Sequence, residues 1–314
     1  MIVSASTSQS LAAALAAALD EPLAPVAAER FPDGEFRASI PEFGAPGAAS
    51  AGAAAGTADR RATEGGAIDG GVLAGRRAVV VCATTTAEAH VEALQLQDAA
   101  REAGASEVLT VVPYFGYARQ DRAFEPGQPV SARAMARALS AGTDRAIIVT
   151  PHEPAVAEFF EVSCAVVDAA PRLAAALPAL DDPLFLAPDS GARGLADTVR
   201  AAHGAGTVDH FEKTRRSGSE VDLVPHEVGV EGRDAVLVDD IVATGGTMAE
   251  AARVLDDRGA ASVRAACVHP VLAGAARTRL AAAGVEAVYA TDTVERVESV
   301  VSAAPVVADA LRDE

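Results

Sequence analysis

Ala235 to Val238 is an apolar run too short to fill a helix, and it stops at two carboxylates, Asp239 and Asp240. It reads as a buried strand with chemistry at its end. Thr244, Gly245, Gly246 and Thr247 then form a small, hydroxyl-bearing, Gly-rich turn, and the residues beyond it predict a helix from about Met248 to Asp257. Strand, turn and helix in that order make a βα unit, and they gather free backbone N–H groups and two hydroxyls at a helix N-terminus. An anion fits there. The two acids are not phosphate ligands, because like charges repel, but they suit the cis hydroxyls of a ribose or a metal bridging it. A Gly-rich turn alone is an ordinary crossover; with the acid pair beside it, the stretch points to a sugar phosphate. No GxxxxGK[ST] occurs, which excludes a P-loop cradle.

The same alternation runs through the chain. Strands are expected at Met1–Ser4, Arg77–Ala83, Glu107–Val112, Arg145–Val149, Val162–Val167, Leu184–Ala187, Gly206–Phe211, Val221–Val230, Ser262–His269 and Ala287–Thr291. Helices are expected at Ser8–Leu19, Glu88–Glu102 and Ser131–Ser140, near Ala155–Phe160, from Pro171, at Ala273–Ala282 and near Val297–Leu311. Strand alternating with helix predicts parallel sheets covered on both faces. At 314 residues, two domains are expected, 1–144 and 145–314, with the last helix packing back on the first. Residues 44–75 are Ala/Gly/Ser-rich text without period or bulk, read as a solvated insert.

Composition excludes several partners. Acidic residues outnumber basic ones 44 to 26, a formal net charge of −18, which opposes general affinity for nucleic acid or anionic membrane. No apolar run has membrane-spanning length and the N-terminus lacks a signal-peptide pattern, so a soluble cytoplasmic protein is expected. Cys82, Cys164 and Cys267 show no CxxC pairing and read as small core residues. Acid-rich, lysine-poor text fits a high-salt cytoplasm or a GC-rich genome. Lys213 is the single lysine, and a compact ammonium on a flexible stem does what a planar guanidinium cannot.

Other strand ends carry chemistry too. Asp33-Gly34 marks a hairpin turn, with Phe31, Asp33 and Glu35 alternating onto one face, an aromatic surface beside two acceptors that suits an adenine. Pro113 to Arg122 brings Arg119 and Arg122 to the carboxyl end of a strand, where open α/β sheets bind ligands. Thr150-Pro151-His152-Glu153 and Pro188-Asp189-Ser190-Gly191 follow two more strands. The remaining histidines, His269 among them, have no comparable company. Glu212 to Glu220 reads as a basic excursion able to close over a transferring phosphoryl group.

Five blocks in order, RFPDGE (30–35), PYFGYARQDR (113–122), PHE (151–153) with a following FF, EKTRR (212–216) and VDDIVATGGT (238–247), resemble the ribose-phosphate pyrophosphokinase family. Simple phosphoribosyltransferases share only the last block, typically on one domain. The resemblance implies an α/β fold of two tandem type I phosphoribosyltransferase-like domains, each a mostly parallel sheet flanked by helices. It implies pyrophosphoryl transfer from Mg-ATP to the C1 hydroxyl of ribose 5-phosphate, with Mg²⁺ held near His152 and Asp189. Phe31, Asp33, Glu35, Arg119, Gln120, Asp121 and His152 would hold ATP. Asp239, Asp240, Thr244, Gly245, Gly246 and Thr247 would hold ribose 5-phosphate, and Lys213 and Arg215 would act on the transferring group. It further implies a homo-oligomer, a dimer or larger, in which the hairpin of one subunit completes the ATP site of another. Ala243 stands where many members have an acid, and Phe159-Phe160 after PHE matches the archaeal branch. A phosphoribosyltransferase and a non-catalytic regulatory paralogue stand as alternatives.

Overall fold

The structure, a computed structural model, describes residues 1–41, 71–217, 220–225 and 228–313. In chain order the first half runs β1 (Ile2–Ser4), α1 (Gln9–Leu19), β2 (Ala27–Arg30), β3 (Phe36–Ser39), β4 (Arg77–Val81), α2 (Ala87–Glu102), β5 (Glu107–Val112), α3 (Ser131–Ser140), β6 (Arg145–Val149) and β7 (Ser163–Val167). The second half runs α4 (Ala170–Ala174), β8 (Leu184–Ala187), α5 (Arg193–His203), β9 (Thr207–Ser217), β10 (Glu220–Pro225), β11 (Asp234–Ile241), α6 (Gly246–Asp257), β12 (Ser262–His269), α7 (Ala276–Ala281), β13 (Val285–Thr291), β14 (Ser299–Val301) and α8 (Ala304–Arg312).

Two parallel sheets result. One has the order β1-β4-β5-β6-β7; the other has the order β10-β9-β8-β11-β12-β13-β14, parallel except for the β9–β10 hairpin. Strand residues alternate between two apolar layers, which is why the strands read as unbroken apolar runs. Val79, Val81, Val236 and Val238 face a central cluster between the sheets, which also takes in Leu11, Leu15, Phe185, Val307 and Leu311. Ala78 and Val80 face an outer layer with Leu96 and Leu139, while Ala235 and Leu237 face another with Met248 and Leu255. Helix α8 packs on α1, with Arg312 donating to the Ala18 carbonyl at 2.5 Å. Among the described residues no helix is long and apolar enough to cross a membrane.

Several expectations need correction. A boundary at 144/145 would pass between β5 and β6, which are hydrogen-bonded neighbours, Leu109 opposite Arg145 and Val112 opposite Ile148. The first sheet runs on through β7, so the sheets divide between Val167 and Leu184. Most of the 44–75 insert lies outside the described residues, but Leu73 is fully buried in the outer layer of the first sheet, so the packed chain resumes before Gly75. Val297 to Leu311 is not one helix: Ser299–Val301 is an edge strand and α8 begins at Ala304 with Pro305 in its first turn, where a missing N–H does no harm. Helix α5 went unread because its buried stripe is only Ala196 and Val199. The expected excursion at 212–220 is an antiparallel arm, with Lys213 opposite Leu223 and Arg215 opposite Val221; Gly218 and Ser219 lie outside the described residues.

Candidate active site

The carboxyl ends of β5, β6, β8 and β11 open onto one cleft of about 890 Å³ between the sheets. Arg119, His152, Asp189, Asp239, Asp240 and Thr247 all line it. These six were singled out from sequence, and they come from the carboxyl-end regions of four separate strands that only the packing of the two sheets brings together.

The cradle forms as the local sequence requires. Gly245 is the N-cap of α6 with φ 71° and ψ 9°, a left-handed conformation. A Cβ there would sit 3.3 Å from Leu280 Cγ and 3.4 Å from the Ala276 carbonyl oxygen. Glycine therefore meets both a backbone and a packing requirement. The Arg279 guanidinium donates to the Thr244 carbonyl at 2.5 Å and fixes the entry to the turn. The first N–H groups of this helix have no partner within it, so Gly246 and Thr247 present donors at its positive end.

Next to the cradle, the acid pair is wired rather than loose. The Asp240 N–H donates to Asp239 Oδ1 at 3.0 Å, and Asp240 Oδ2 meets His152 Nδ1 at 2.8 Å, a contact from the second sheet to the first. Burial and the neighbouring Asp240 charge push the Asp239 carboxyl up to about 8. Burial pushes Asp240 up as well, but the hydrogen bonds from His152 and Asp239 and the imidazolium charge outweigh it and hold Asp240 below the usual range. The Asp240 hydrogen bond raises His152 in turn. At neutral pH the trio is thus a protonated Asp239, an ionised Asp240 and a His152 biased toward its charged form. One donor and one acceptor carboxyl side by side match a pair of cis hydroxyls.

Asp189 caps the turn after β8 by accepting from the N–H of Gly191 at 3.0 Å and of Ala192 at 3.3 Å. Among the described residues no group of three or more His, Cys, Asp or Glu could hold a metal alone. Mg²⁺ is usually held by one or two carboxylates together with substrate phosphates. A held Asp189 and the charge-crowded acids across the cleft fit a cation arriving with a polyphosphate.

Other predicted residues lie apart. Gln120 accepts from the Ser131 hydroxyl at 2.5 Å, serving the start of α3, and neither it nor Asp121 lines the cleft. Phe31, Asp33 and Glu35 do not share a strand face: they form the hairpin tip, with the Glu35 N–H donating to Asp33 Oδ1 at 3.1 Å and Gly34 at φ 95°. The tip is tied down by Arg30, bound to Glu88 of α2 at 2.6 Å, and the Arg37 guanidinium lies 5.1 Å from the Phe31 ring centroid. None of the three lines the cleft, and Asp33 and Glu35 are exposed. Lys213 and Arg215 lie on the β9 arm, whose root is fixed by a buried Phe211 and by the Val228 N–H bonded to Asp209 at 3.1 Å. Thr150, noted only as part of the His152 segment, and His269, set among the ordinary histidines, were not singled out from sequence. Thr150 has φ 37°, and His269, 1 % exposed, binds its carbonyl; a histidine closing a buried strand was the one signal.

Two tandem type I phosphoribosyltransferase-like units, sheets parallel and helix-covered, are the class this fold defines. A model of the N-terminal domain of ribose phosphate pyrophosphokinase matches residues 70–142, and a phosphoribosyl transferase domain model matches 171–303. The chain belongs to the ribose-phosphate pyrophosphokinase family. It is 56% identical over 312 residues to a ribose-phosphate pyrophosphokinase of Halobacterium salinarum, covering 99% of this chain and 100% of the relative. It is 43% identical over 316 residues to that of Methanopyrus kandleri, covering 100% and 99%. A crystal structure of phosphoribosylpyrophosphate synthetase from Mycobacterium smegmatis superposes with a TM-score of 0.75 at 25% identity, over 99% of this chain and 97% of that one.

Proposed function

We propose that this chain transfers the pyrophosphoryl group of Mg-ATP to the C1 hydroxyl of ribose 5-phosphate, giving 5-phosphoribosyl 1-pyrophosphate and AMP. The observation that carries this reading is the meeting, in one cleft, of the acid pair and Thr247 at the start of α6 from one sheet with Arg119 and His152 from the other; Thr244, Gly245 and Gly246 stand just beside that lining. A cradle for phosphate beside carboxyls for hydroxyls holds the acceptor; cationic side chains opposite hold the donor.

Thr244, Gly245, Gly246 and Thr247 grip the 5-phosphate through backbone N–H groups and hydroxyls, and Asp239 and Asp240 take the ribose 2- and 3-hydroxyls. The C1 hydroxyl is then presented toward the first sheet. Its oxygen attacks the β-phosphorus in line as the bridge to the α-phosphate breaks. Arg119 pairs with the polyphosphate, and Gln120 and Asp121, one and two residues on, complete that loop. Lys213 and Arg215, on the arm, meet the charge that develops during transfer, where positioning and electrostatics carry the rate. Asp189, together with His152 once its imidazole has released a proton, would hold Mg²⁺, which when bound screens the polyphosphate charge.

In this reading the hairpin of a second copy holds the adenine and the working unit is a homo-oligomer, which is supported by Phe31, Asp33 and Glu35 lying outside the chain's own cleft. Three free thiols fit a cytoplasmic enzyme. With a net charge of −18, nucleic acid and anionic membranes are not partners. Production of AMP from ATP and ribose 5-phosphate, followed in a coupled assay, tests the reading. AMP formation dependent on the sugar is expected. Consumption of phosphoribosyl pyrophosphate with a base instead would mark a phosphoribosyltransferase, and nucleotide binding without turnover a regulatory paralogue.

A further inference from the structure

Two loops face the cleft from the first sheet, one carrying Arg119 after β5 and one carrying His152 after β6, and one buried side chain of the second sheet touches both. His269, the last residue of β12, has its Nε2 3.0 Å from the Thr150 carbonyl oxygen and its Nδ1 2.8 Å from Thr293 Oγ1. Its ring meets Tyr114 edge to face at 5.2 Å. A carbonyl only accepts, so Nε2 carries the hydrogen and Nδ1 accepts from the Thr293 hydroxyl. The Thr291 and Thr293 hydroxyls each lie 2.7 Å from the Val268 carbonyl oxygen; with Thr291 donating there, the single hydrogen of Thr293 is shared between that oxygen and Nδ1 of the ring. Every polar atom of the group is then satisfied by a neutral imidazole, and burial holds His269 below the usual histidine range.

The backbone it grips is strained. Thr150 at φ 37° is β-branched and left-handed, a conformation that persists only where its surroundings impose it. The Thr150 N–H donates to the Val167 carbonyl at 2.8 Å and its hydroxyl accepts from the Ala169 N–H at 2.9 Å, both within the first sheet's half. The third restraint, on its carbonyl, crosses from the second sheet. Two residues later His152 meets Asp240, on the strand next to β12.

We propose that His269 is a positioning residue, which by donating Nε2–H to the Thr150 carbonyl and abutting Tyr114 sets the register of both donor-side loops against the ribose-side strand ends. It touches neither substrate; it aligns the phosphoryl donor with the C1 oxygen. The inference rests on the cleft being the transfer site described above.

The test compares His269→Leu, His269→Phe and His269→Gln in the full chain. A misplacement of about 1 Å costs roughly 10² in rate, so the Leu and Phe variants should lose about 30- to 100-fold in kcat. Calorimetric Kd values for ribose 5-phosphate and for Mg-ATP should stay within about threefold, a split that loss of folding would not give. The Gln amide places an N–H near the position of Nε2 and should restore kcat to within about fivefold, whereas Phe keeps the ring against Tyr114 without the donor and should remain slow. If the Leu variant does not fold, the Gln and Phe pair decides. A folded Leu or Phe variant near wild-type turnover, a Gln variant no faster than Phe, or binding lost in step with kcat overturns the inference. A wild type that forms no AMP overturns the functional reading itself, which is a separate result.

Discussion

Replacing Asp239 by Asn should stabilise the free protein while damaging its ribose site, and pH separates the two effects. The Asp239 carboxyl is pushed up to about 8 by burial and by Asp240, against an ordinary value of 3.8. The folded chain therefore holds a proton that the unfolded chain releases. Its contribution is fully present below the ordinary value and is lost as pH rises through about 8. In that window the loss approaches 1.4 kcal/mol per pH unit, so between pH 5 and 7 it is on the order of 2 kcal/mol once water penetration and coupling to Asp240 are allowed for. Asp240, held low by its hydrogen bonds, has the opposite sign: its contribution is present above the ordinary range and is lost on acidification, outside this window. Asn keeps the acceptor oxygen for the Asp240 N–H and has nothing to titrate. In thermal melts followed by far-UV circular dichroism without Mg²⁺ or substrate, the variant should gain on the wild type by roughly 3–6 °C between pH 5 and 7. The same variant should raise KM for ribose 5-phosphate by about tenfold or more, with KM for ATP within about twofold. A melting difference that stays flat from pH 5 to 8, or a variant less stable than wild type at pH 7.5, refutes the assignment of a half-buried, proton-holding Asp239.

Four further outcomes follow from the site. Lys213→Ala should lower kcat by about 10²–10³ with a smaller effect on KM, the scale of losing one preorganised donor; near-normal steady-state turnover removes Lys213 from the mechanism. Gly245→Ala forces a left-handed alanine against Leu280 and should cost about 1–2 kcal/mol, read as a lower denaturation midpoint together with a raised KM for ribose 5-phosphate. His152→Ala should raise the Mg²⁺ concentration for half-maximal turnover about tenfold or more, and an unchanged magnesium titration would deny it a metal role. Mixing Phe31→Ala and Lys213→Ala chains, each nearly inactive alone, under exchange conditions should return activity approaching about a quarter of wild type if each site draws on two copies, since one site of a mixed dimer is intact; no recovery despite demonstrated subunit exchange argues for a site within one chain.

Local chemistry was legible in the sequence. The run from Ala235 to Thr247 dictated a strand, an acid pair and a left-handed glycine at a helix start, because each depends on neighbours a few residues away and on the geometry a Cβ forbids. The unbroken apolar strands likewise announced parallel sheets buried on both faces. Long-range pairing was not legible. That β6 and β7 close the first sheet, rather than open the second, follows from the pairing of β6 with β5 and of β7 with β6, which no local pattern encodes. Residues 212–217 looked like a loop because their charges hid the antiparallel pairing with β10. The tertiary structure alone decided that His152 meets Asp240, that Asp239 keeps its proton, and that a histidine passed over as ordinary grips the strained Thr150. Burial, charge coupling and a carbonyl acceptor are properties of neighbours in space, here more than a hundred residues apart along the chain between Thr150 and His269.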